Sequence, residues 1–144
     1  MTTTPMSETK VIRKDRVVEF TAACLRQAGA CDEHARQHAD LLVEADRRGH
    51  FSHGTNRLDV YVHELKQNAC DGEGTPAVLA SRAATALVDG RNLLGAVVGV
   101  FGMQLAIGKA KQFGIGIVTC KGSNHFGMAG YYSKIAMDQG LIVS

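Results

Sequence analysis

The segment Gly114–Gly127 has the sequence GIGIVTCKGSNHFG, in which an apolar run is followed by a polar loop. Residues 115–120 have the pattern of a buried strand. The segment before them, 95–113, is apolar nearly all round and predicts a buried helix that ends at a glycine. A further helix is predicted over 128–139, and a strand begins at 141–144. This alternation of helices and strands predicts an α/β protein with a parallel sheet.

The first half of the chain is predicted to be helical. Apolar positions recur at helical spacing over residues 17–25, 32–48 and 56–69. Gly29 is placed to end the first of these helices. Asp32 is placed to cap the second helix at its N-terminus. We therefore expect three helices that each bury one face before the sheet begins.

Glycines and Pro76 separate this half from the second half. Short strands are predicted over 77–81 and 85–88, with a turn at Asp89–Gly90. We predict a helical part with a substrate loop over residues 1–72, and the beginning of an α/β domain over residues 73–144. Since the last strand has only just begun at its fourth residue, we expect the sequence to be the N-terminal portion of a longer protein.

Composition limits the classes of function. The 144 residues are 45% hydrophobic and 21% charged, as in folded globular proteins. The net charge of +2 comes from scattered residues, so we expect no nucleic-acid partner. The longest apolar stretch, residues 93–107, is interrupted by glycines and is too short for a membrane span. The polar segment 1–10 predicts no secretory signal, and four cysteines without a C-x-x-C pair predict reduced thiols in a cytoplasmic protein.

The first candidate site is a loop between the second and third helices. Residues 48–62 read RGHFSHGTNRLDVYV and contain Ser52, His53, Arg57 and Tyr61. Histidine transfers protons near neutral pH, and the arginine fork matches a carboxylate. Arg57 and Tyr61 lie one helical turn apart on a shared face. The residues favour a site for a small carboxylate-bearing substrate, although a helix corner in which Ser52 caps the third helix has the same pattern.

The second candidate site follows the strand at 115–120. Ligands of open α/β sheets bind at the carboxyl ends of the strands, where Asn124 and His125 are predicted to lie. A polar loop whose histidine bonds the backbone is the alternative. His34 and His38 have the i, i+4 spacing of zinc ligands, but no further ligand accompanies them. We therefore predict a solvated helix face for this pair and no metal site.

Both loops resemble signatures of one enzyme family. Residues 48–62 resemble the pattern R-G-H-x-S-H-G-x-x-R-L-x-x-Y, and residues 123–132 resemble S-N-H-F-G-x-A-G-Y-Y. These are signatures of the malate/L-lactate dehydrogenase family, which also includes ureidoglycolate, sulfolactate and diketogulonate dehydrogenases. The family is distinct from the Rossmann-type lactate and malate dehydrogenases, in agreement with the lack of a G-x-G-x-x-G motif after a strand here.

The resemblance implies an enzyme that interconverts a 2-hydroxy acid and its 2-oxo acid with NAD or NADP. It implies an N-terminal helical part followed by an unusual, non-Rossmann cofactor-binding sheet, and a homodimer in the full-length form. Chains of the family are much longer than 144 residues. A catalytically inactive fragment that acts as a dimerisation partner or remnant is therefore the alternative.

The resemblance also implies roles for individual residues. His53 corresponds to the acid/base, Ser52 orients it, Arg57 holds the substrate carboxylate and Tyr61 lines the pocket. His125 is expected against the substrate and the nicotinamide, with a part in proton handling. Together with Asn124 and Gly127, it is expected to contact the cofactor.

Overall fold

The computed structural model describes residues 11–144, and the segment 1–10, for which we expected no secretory signal, lies outside the described residues. Five α-helices and three strands are found in the described part. They are α1 (Lys14–Gln27), α2 (Asp32–Arg47), α3 (Leu58–Lys66), β1 (Ala77–Ser81), β2 (Thr85–Leu93), α4 (Gly95–Phe113), β3 (Ile117–Ser123) and α5 (Ala129–Met137). The predicted α/β class is confirmed.

Helices α1 and α2 pack against each other through the apolar faces that the sequence predicted. Leu25 and Leu42 are fully buried between them. The prediction that Asp32 caps α2 is wrong, because Cys31 occupies the N-cap position. The Asp32 carboxylate instead accepts a hydrogen bond of 2.8 Å from Arg26, near the end of α1. This ion pair closes the short connection between the two helices.

Helix α3 is shorter than the predicted segment 56–69. Two turns of 3-10 helix, Phe51–His53 and Thr55–Arg57, precede it. At its other end, Asn68 has a φ of 54°, the left-handed conformation that commonly ends a helix. The loop with Ser52 and His53 is therefore a compact pair of turns and not an open connection.

The sheet has the strand order β1-β2-β3. Strand β2 is antiparallel to β1 and parallel to β3, and α4 makes the crossover between the parallel strands. The prediction of a turn at Asp89–Gly90 is wrong, since both residues lie within β2, where Asp89 pairs with Lys121. The chain bends instead at Arg91 and Asn92, whose φ angles are 50° and 56°.

Strand β3 is more exposed than its sequence predicts. It begins at Ile117 rather than at 115, and Ile117 is 54% exposed. The reason is its place at the edge of the described sheet, where no strand covers its outer side. Residues 141–144 do not form the predicted strand, because they pair with no strand in the described part.

One apolar core joins the helical half to the start of the sheet half. Its largest members are Leu25, Leu42, Tyr61, Leu65, Leu93, Leu94 and Val98. The predicted boundary between residues 72 and 73 stays a prediction, and this core crosses it. None of the helices in residues 11–144 has the length and apolar character needed to cross a membrane.

Candidate active site

The fold brings the two histidine loops together. The rings of His53 and His125 stack with their centroids 5.8 Å apart and their planes 26° from parallel. His53 lies in the 3-10 turn after α2, and His125 lies in the loop that follows β3. The helical half and the sheet half thus each contribute one imidazole to the same place on the surface.

Asp46, which was not among the residues predicted for the site, holds the first loop. One oxygen of its carboxylate accepts hydrogen bonds from the backbone N–H of Thr55 at 2.9 Å and from the Thr55 hydroxyl at 2.6 Å. A Cβ at Gly54 would lie 1.7 Å from the other oxygen, so the loop needs a glycine there. The available signal was the position of Asp46 in the last turn of α2, where the helix dipole disfavours an acid.

Ser52 connects His53 to Arg57. Its hydroxyl lies 2.9 Å from Nδ1 of His53, and its carbonyl accepts a hydrogen bond of 2.8 Å from Nε of Arg57. Ser52 does not cap α3, because Arg57 itself occupies the N-cap position. Within residues 11–144, neither terminal nitrogen of Arg57 has an acceptor, and Asp59 and Glu64 form no ion pair with it. The guanidinium is therefore held at one nitrogen and open at two.

Tyr61 fixes the orientation of His125. The Tyr61 hydroxyl lies 2.7 Å from Nδ1 of His125, and the N–H of Gly127 lies 3.4 Å from the same atom. An N–H can only donate, so Nδ1 is the acceptor and the tyrosine also donates to it. Burial raises the pKa of Tyr61 to about 12, which keeps its proton available. The network thus assigns the proton of neutral His125 to Nε2.

The surroundings of His125 keep it uncharged. Burial lowers the pKa of His125, and the positive charges of Arg57 and His53 lower it further. Glu64 opposes this shift with its negative charge. One oxygen of the Glu64 carboxylate is buried and has no hydrogen-bond partner within residues 11–144. At neutral pH, His125 is therefore a neutral donor through Nε2.

Asn124 and Gly127 hold the second loop in place. The Asn124 amide donates to the carbonyls of Asn92 and Leu93 at 2.9 and 3.0 Å, which ties the loop to the end of β2. Gly127 has a φ of 69°, and a Cβ there would lie 2.5 Å from the side chain of Leu41. The predicted contact of both residues with a cofactor stays a prediction, and their observed contacts are within the fold.

The prediction of a solvated face for His34 and His38 is wrong. Both imidazoles are buried, because the loop at Gly72 covers the first and Tyr61 packs on the second. Nδ1 of His34 lies 3.0 Å from the carbonyl of Gly72. Among residues 11–144, no three side chains of the histidine, cysteine, aspartate or glutamate types form a group that could hold a metal ion.

Comparison with known proteins identifies the type of chain. The family model described as malate/L-lactate dehydrogenase matches residues 12–144. The chain is 44% identical over 118 residues to the malate/(S)-sulfolactate dehydrogenase of Methanothermus fervidus. The aligned region covers 82% of this chain and 35% of that protein. It is 42% identical over 132 residues to the L-sulfolactate dehydrogenase of Methanocaldococcus jannaschii. Here the aligned region covers 92% of this chain and 38% of that protein.

Solved structures give the same result. The malate dehydrogenase of Entamoeba histolytica superposes with a TM-score of 0.87 at 38% identity, over 92% of this chain and 37% of that one. The sulfolactate dehydrogenase of Methanocaldococcus jannaschii gives a TM-score of 0.86 at 38% identity, over 90% and 38%. The chain thus spans just over a third of the length of the relatives that it matches.

Proposed function

Because this chain belongs to the malate/L-lactate dehydrogenase family, we propose that it interconverts a 2-hydroxy acid and its 2-oxo acid with NAD or NADP. One observation carries the proposal. Ser52 contacts both His53 and Arg57, and the charge of Arg57 acts on His125, so a guanidinium with two open terminal nitrogens belongs to the same cluster as the stacked imidazoles. A carboxylate pairs with a guanidinium, and a neighbouring hydroxyl or carbonyl group exchanges a proton with an imidazole.

Arg57 binds the substrate carboxylate in this proposal. The Ser52 carbonyl accepts a hydrogen bond from its Nε, which leaves both terminal nitrogens to form a bidentate pair with a carboxylate. Malate and sulfolactate, which give their names to relatives of this chain, are 2-hydroxy acids of this class with a second acidic group. We propose such a small diacid as the substrate.

The two histidines divide the proton chemistry. Negative charge develops on the carbonyl oxygen when a ketone is reduced, and a positioned acid relieves it. We assign the proton donor to His53, which Ser52 orients through Nδ1. Neutral His125 donates a hydrogen bond to the same oxygen through Nε2–H, while Tyr61 holds it in that tautomer. In the oxidative direction, His53 accepts the proton of the hydroxyl.

The described residues fit the nicotinamide end of the cofactor. The nicotinamide supplies or accepts the hydride when it is bound. His125 is exposed beside Phe126, which is 49% exposed, so the loop offers a polar donor next to an apolar ring. Because the Asn124 amide nitrogen already donates to β2, Asn124 and Gly127 contribute by shaping this loop. The resemblance also supports a homodimer in the full-length form, which a molecular mass measured in solution tests, and the cysteine pattern supports a cytoplasmic location.

Ligand binding and turnover test the proposal separately. The ring signals of His53 and His125 in the labelled chain are followed by NMR during titration with malate at neutral pH. Saturable shifts are expected in the wild type and none in Arg57→Met, with malamide as the matched ligand that lacks carboxylates. Turnover is measured from nicotinamide absorbance with oxaloacetate. Absence of binding contradicts the proposed site, whereas binding without turnover favours the inactive-fragment alternative.

A further inference from the structure

His38 is a buried imidazole that the proposed chemistry does not use. It lies on α2 with its side chain fully buried, and neither ring nitrogen has a hydrogen-bond partner in the described part of the chain. A neutral imidazole keeps one N–H and one lone pair, and a buried polar group without a partner is destabilising. An apolar side chain would therefore serve stability better, so stability does not explain a histidine at this position.

The contact that His38 makes is with Tyr61. The two rings are T-shaped, with centroids 4.1 Å apart and planes at 69°. In this arrangement the positive edge of one aromatic ring faces the negative face of the other. Because imidazole has a polar ring, the energy of such a pair depends on how the two rings are oriented, so the contact is directional as well as space-filling.

Tyr61 connects the buried His38 to His125 at the surface. Its ring is only 2% exposed, and its hydroxyl donates to Nδ1 of His125 at 2.7 Å. The phenolic O–H bond prefers the plane of the ring, because a lone pair of the oxygen is conjugated with the ring, so the plane of the ring sets the direction in which the hydroxyl donates. His38, Tyr61 and His125 thus form one continuous contact from α2 through α3 to the loop after β3.

We propose that His38 is a positioning residue, whose neutral imidazole fixes the ring of Tyr61 and thereby holds His125 in the Nε2–H tautomer. His38 acts through Tyr61 and touches no reacting atom. The use of that tautomer in catalysis rests on the proposed function, but the geometry does not. Loss of the constraint frees the phenol to turn, and His125 then exchanges between its two tautomers.

NMR of the isotopically labelled chain tests this proposal without any activity. Long-range correlations between ring protons and nitrogens distinguish the two tautomers of His125. The wild type is expected to show Nε2–H alone, with nuclear Overhauser contacts between the rings of His38 and Tyr61. His38→Phe keeps an aromatic ring of similar shape but lacks the polar edge, and we expect a mixture of tautomers. Tyr61→Phe removes the shorter of the two hydrogen bonds to Nδ1 and leaves the longer one from Gly127, so it gives the largest change in tautomer population that loss of the constraint can produce.

His34→Gln is the matched control, because it removes the other buried histidine of α2, which bonds Gly72 and does not contact Tyr61. It is expected to leave the tautomer of His125 unchanged. A single Nε2–H tautomer in folded His38→Phe overturns the proposal. Missing ring contacts between His38 and Tyr61 in the wild type also overturn it, whether or not the variant folds. Either failure leaves the malate titration as an independent test of the proposed function.

Discussion

Asp46 and Thr55 join the last turn of α2 to the turn before α3 through two hydrogen bonds on one carboxylate oxygen, at 2.9 and 2.6 Å. This connection fixes the loop that carries Ser52 and His53. An acid near the C-terminus of a helix is unfavourable by about 0.3–1 kcal/mol. Each hydrogen bond to a charged group contributes about 1.5–3 kcal/mol, so the two bonds outweigh the dipole.

Asp46→Ala is therefore expected to lower the free energy of unfolding by about 2–6 kcal/mol, because the loop loses two hydrogen bonds to a charged acceptor and regains only the small dipole penalty. Urea denaturation measures the change. Glu73→Ala is the control, since Glu73 is an exposed acid in a loop, and it is expected to stay within about 0.5 kcal/mol of the wild type. Equal stability of the two variants would show that the Asp46 connection contributes nothing.

Gly54→Ala is expected to destabilise the chain by more than about 2 kcal/mol. The added Cβ would lie 1.7 Å from the Asp46 carboxylate, which can move only by releasing Thr55. Gly108→Ala is the matched change, since a Cβ at Gly108 meets no atom within 4 Å inside α4. That variant is expected to be more stable by about 0.5–1 kcal/mol. Thermal or urea unfolding of both variants decides, and a harmless Gly54→Ala would contradict the observed packing.

Arg57→Lys is expected to weaken malate binding about ten- to a hundredfold. A point-charge ammonium cannot reproduce the bidentate fork, and a charge-assisted hydrogen bond contributes about 1.5–3 kcal/mol. Calorimetric or NMR titration measures the dissociation constant. Arg91→Lys is the control, because Arg91 is exposed at the bend within β2. If affinity is unchanged in Arg57→Lys, the carboxylate is bound elsewhere.

His53→Ala is expected to reduce kcat about 10²–10⁴-fold, the usual effect of removing a general acid or base. Steady-state kinetics with oxaloacetate measures it. His50→Ala removes an exposed histidine three positions earlier and is expected to keep kcat near that of the wild type. Near-normal kcat in His53→Ala would move the proton transfer to His125.

Stability is expected to fall in mild acid because of His38. Burial lowers the pKa of His38 to about 3, whereas the unfolded chain has the ordinary value of about 6.5. Between these two values the unfolded state binds the proton and the folded state does not. The free energy of unfolding is thus unaffected by protonation of His38 above pH 6.5. Below that pH it falls by up to about 1.4 kcal/mol per pH unit. Denaturation at several pH values should show a shallower slope in His38→Leu, and parallel slopes would contradict the assignment.

The helices and the first strand could be predicted from the sequence, whereas features set by distant contacts could not. Strand β1 has the predicted bounds, because Gly74 and Pro76 mark its start and a short apolar run follows them. Asp89–Gly90 has the local signal of a turn, yet pairing with β3 keeps both residues extended. Strand β3 follows α4 in the sequence, so the residues around Asp89 alone do not indicate this pairing.

The candidate site shows the same division. Ser52, His53, Arg57 and Tyr61 are neighbours in sequence, and their proximity followed from helical spacing. The burial of His38 did not, because the residue that covers it is Tyr61, on a different helix. A histidine pair at i, i+4 is equally compatible with solvent and with a core, and only tertiary packing distinguishes the two.

The parallel crossover also determines when the site can form during folding. Helices α1 and α2 are adjacent in sequence, so their contact closes a short loop, whereas β2 and β3 meet only after the whole of α4 is in place. Closing the longer loop costs more chain entropy before any contact compensates for it. We expect the helical half to order early and the loop with His125 to order late. Arg57 and Tyr61 are then in position before their partner arrives, and the stacked imidazoles are among the last features of the native chain to appear.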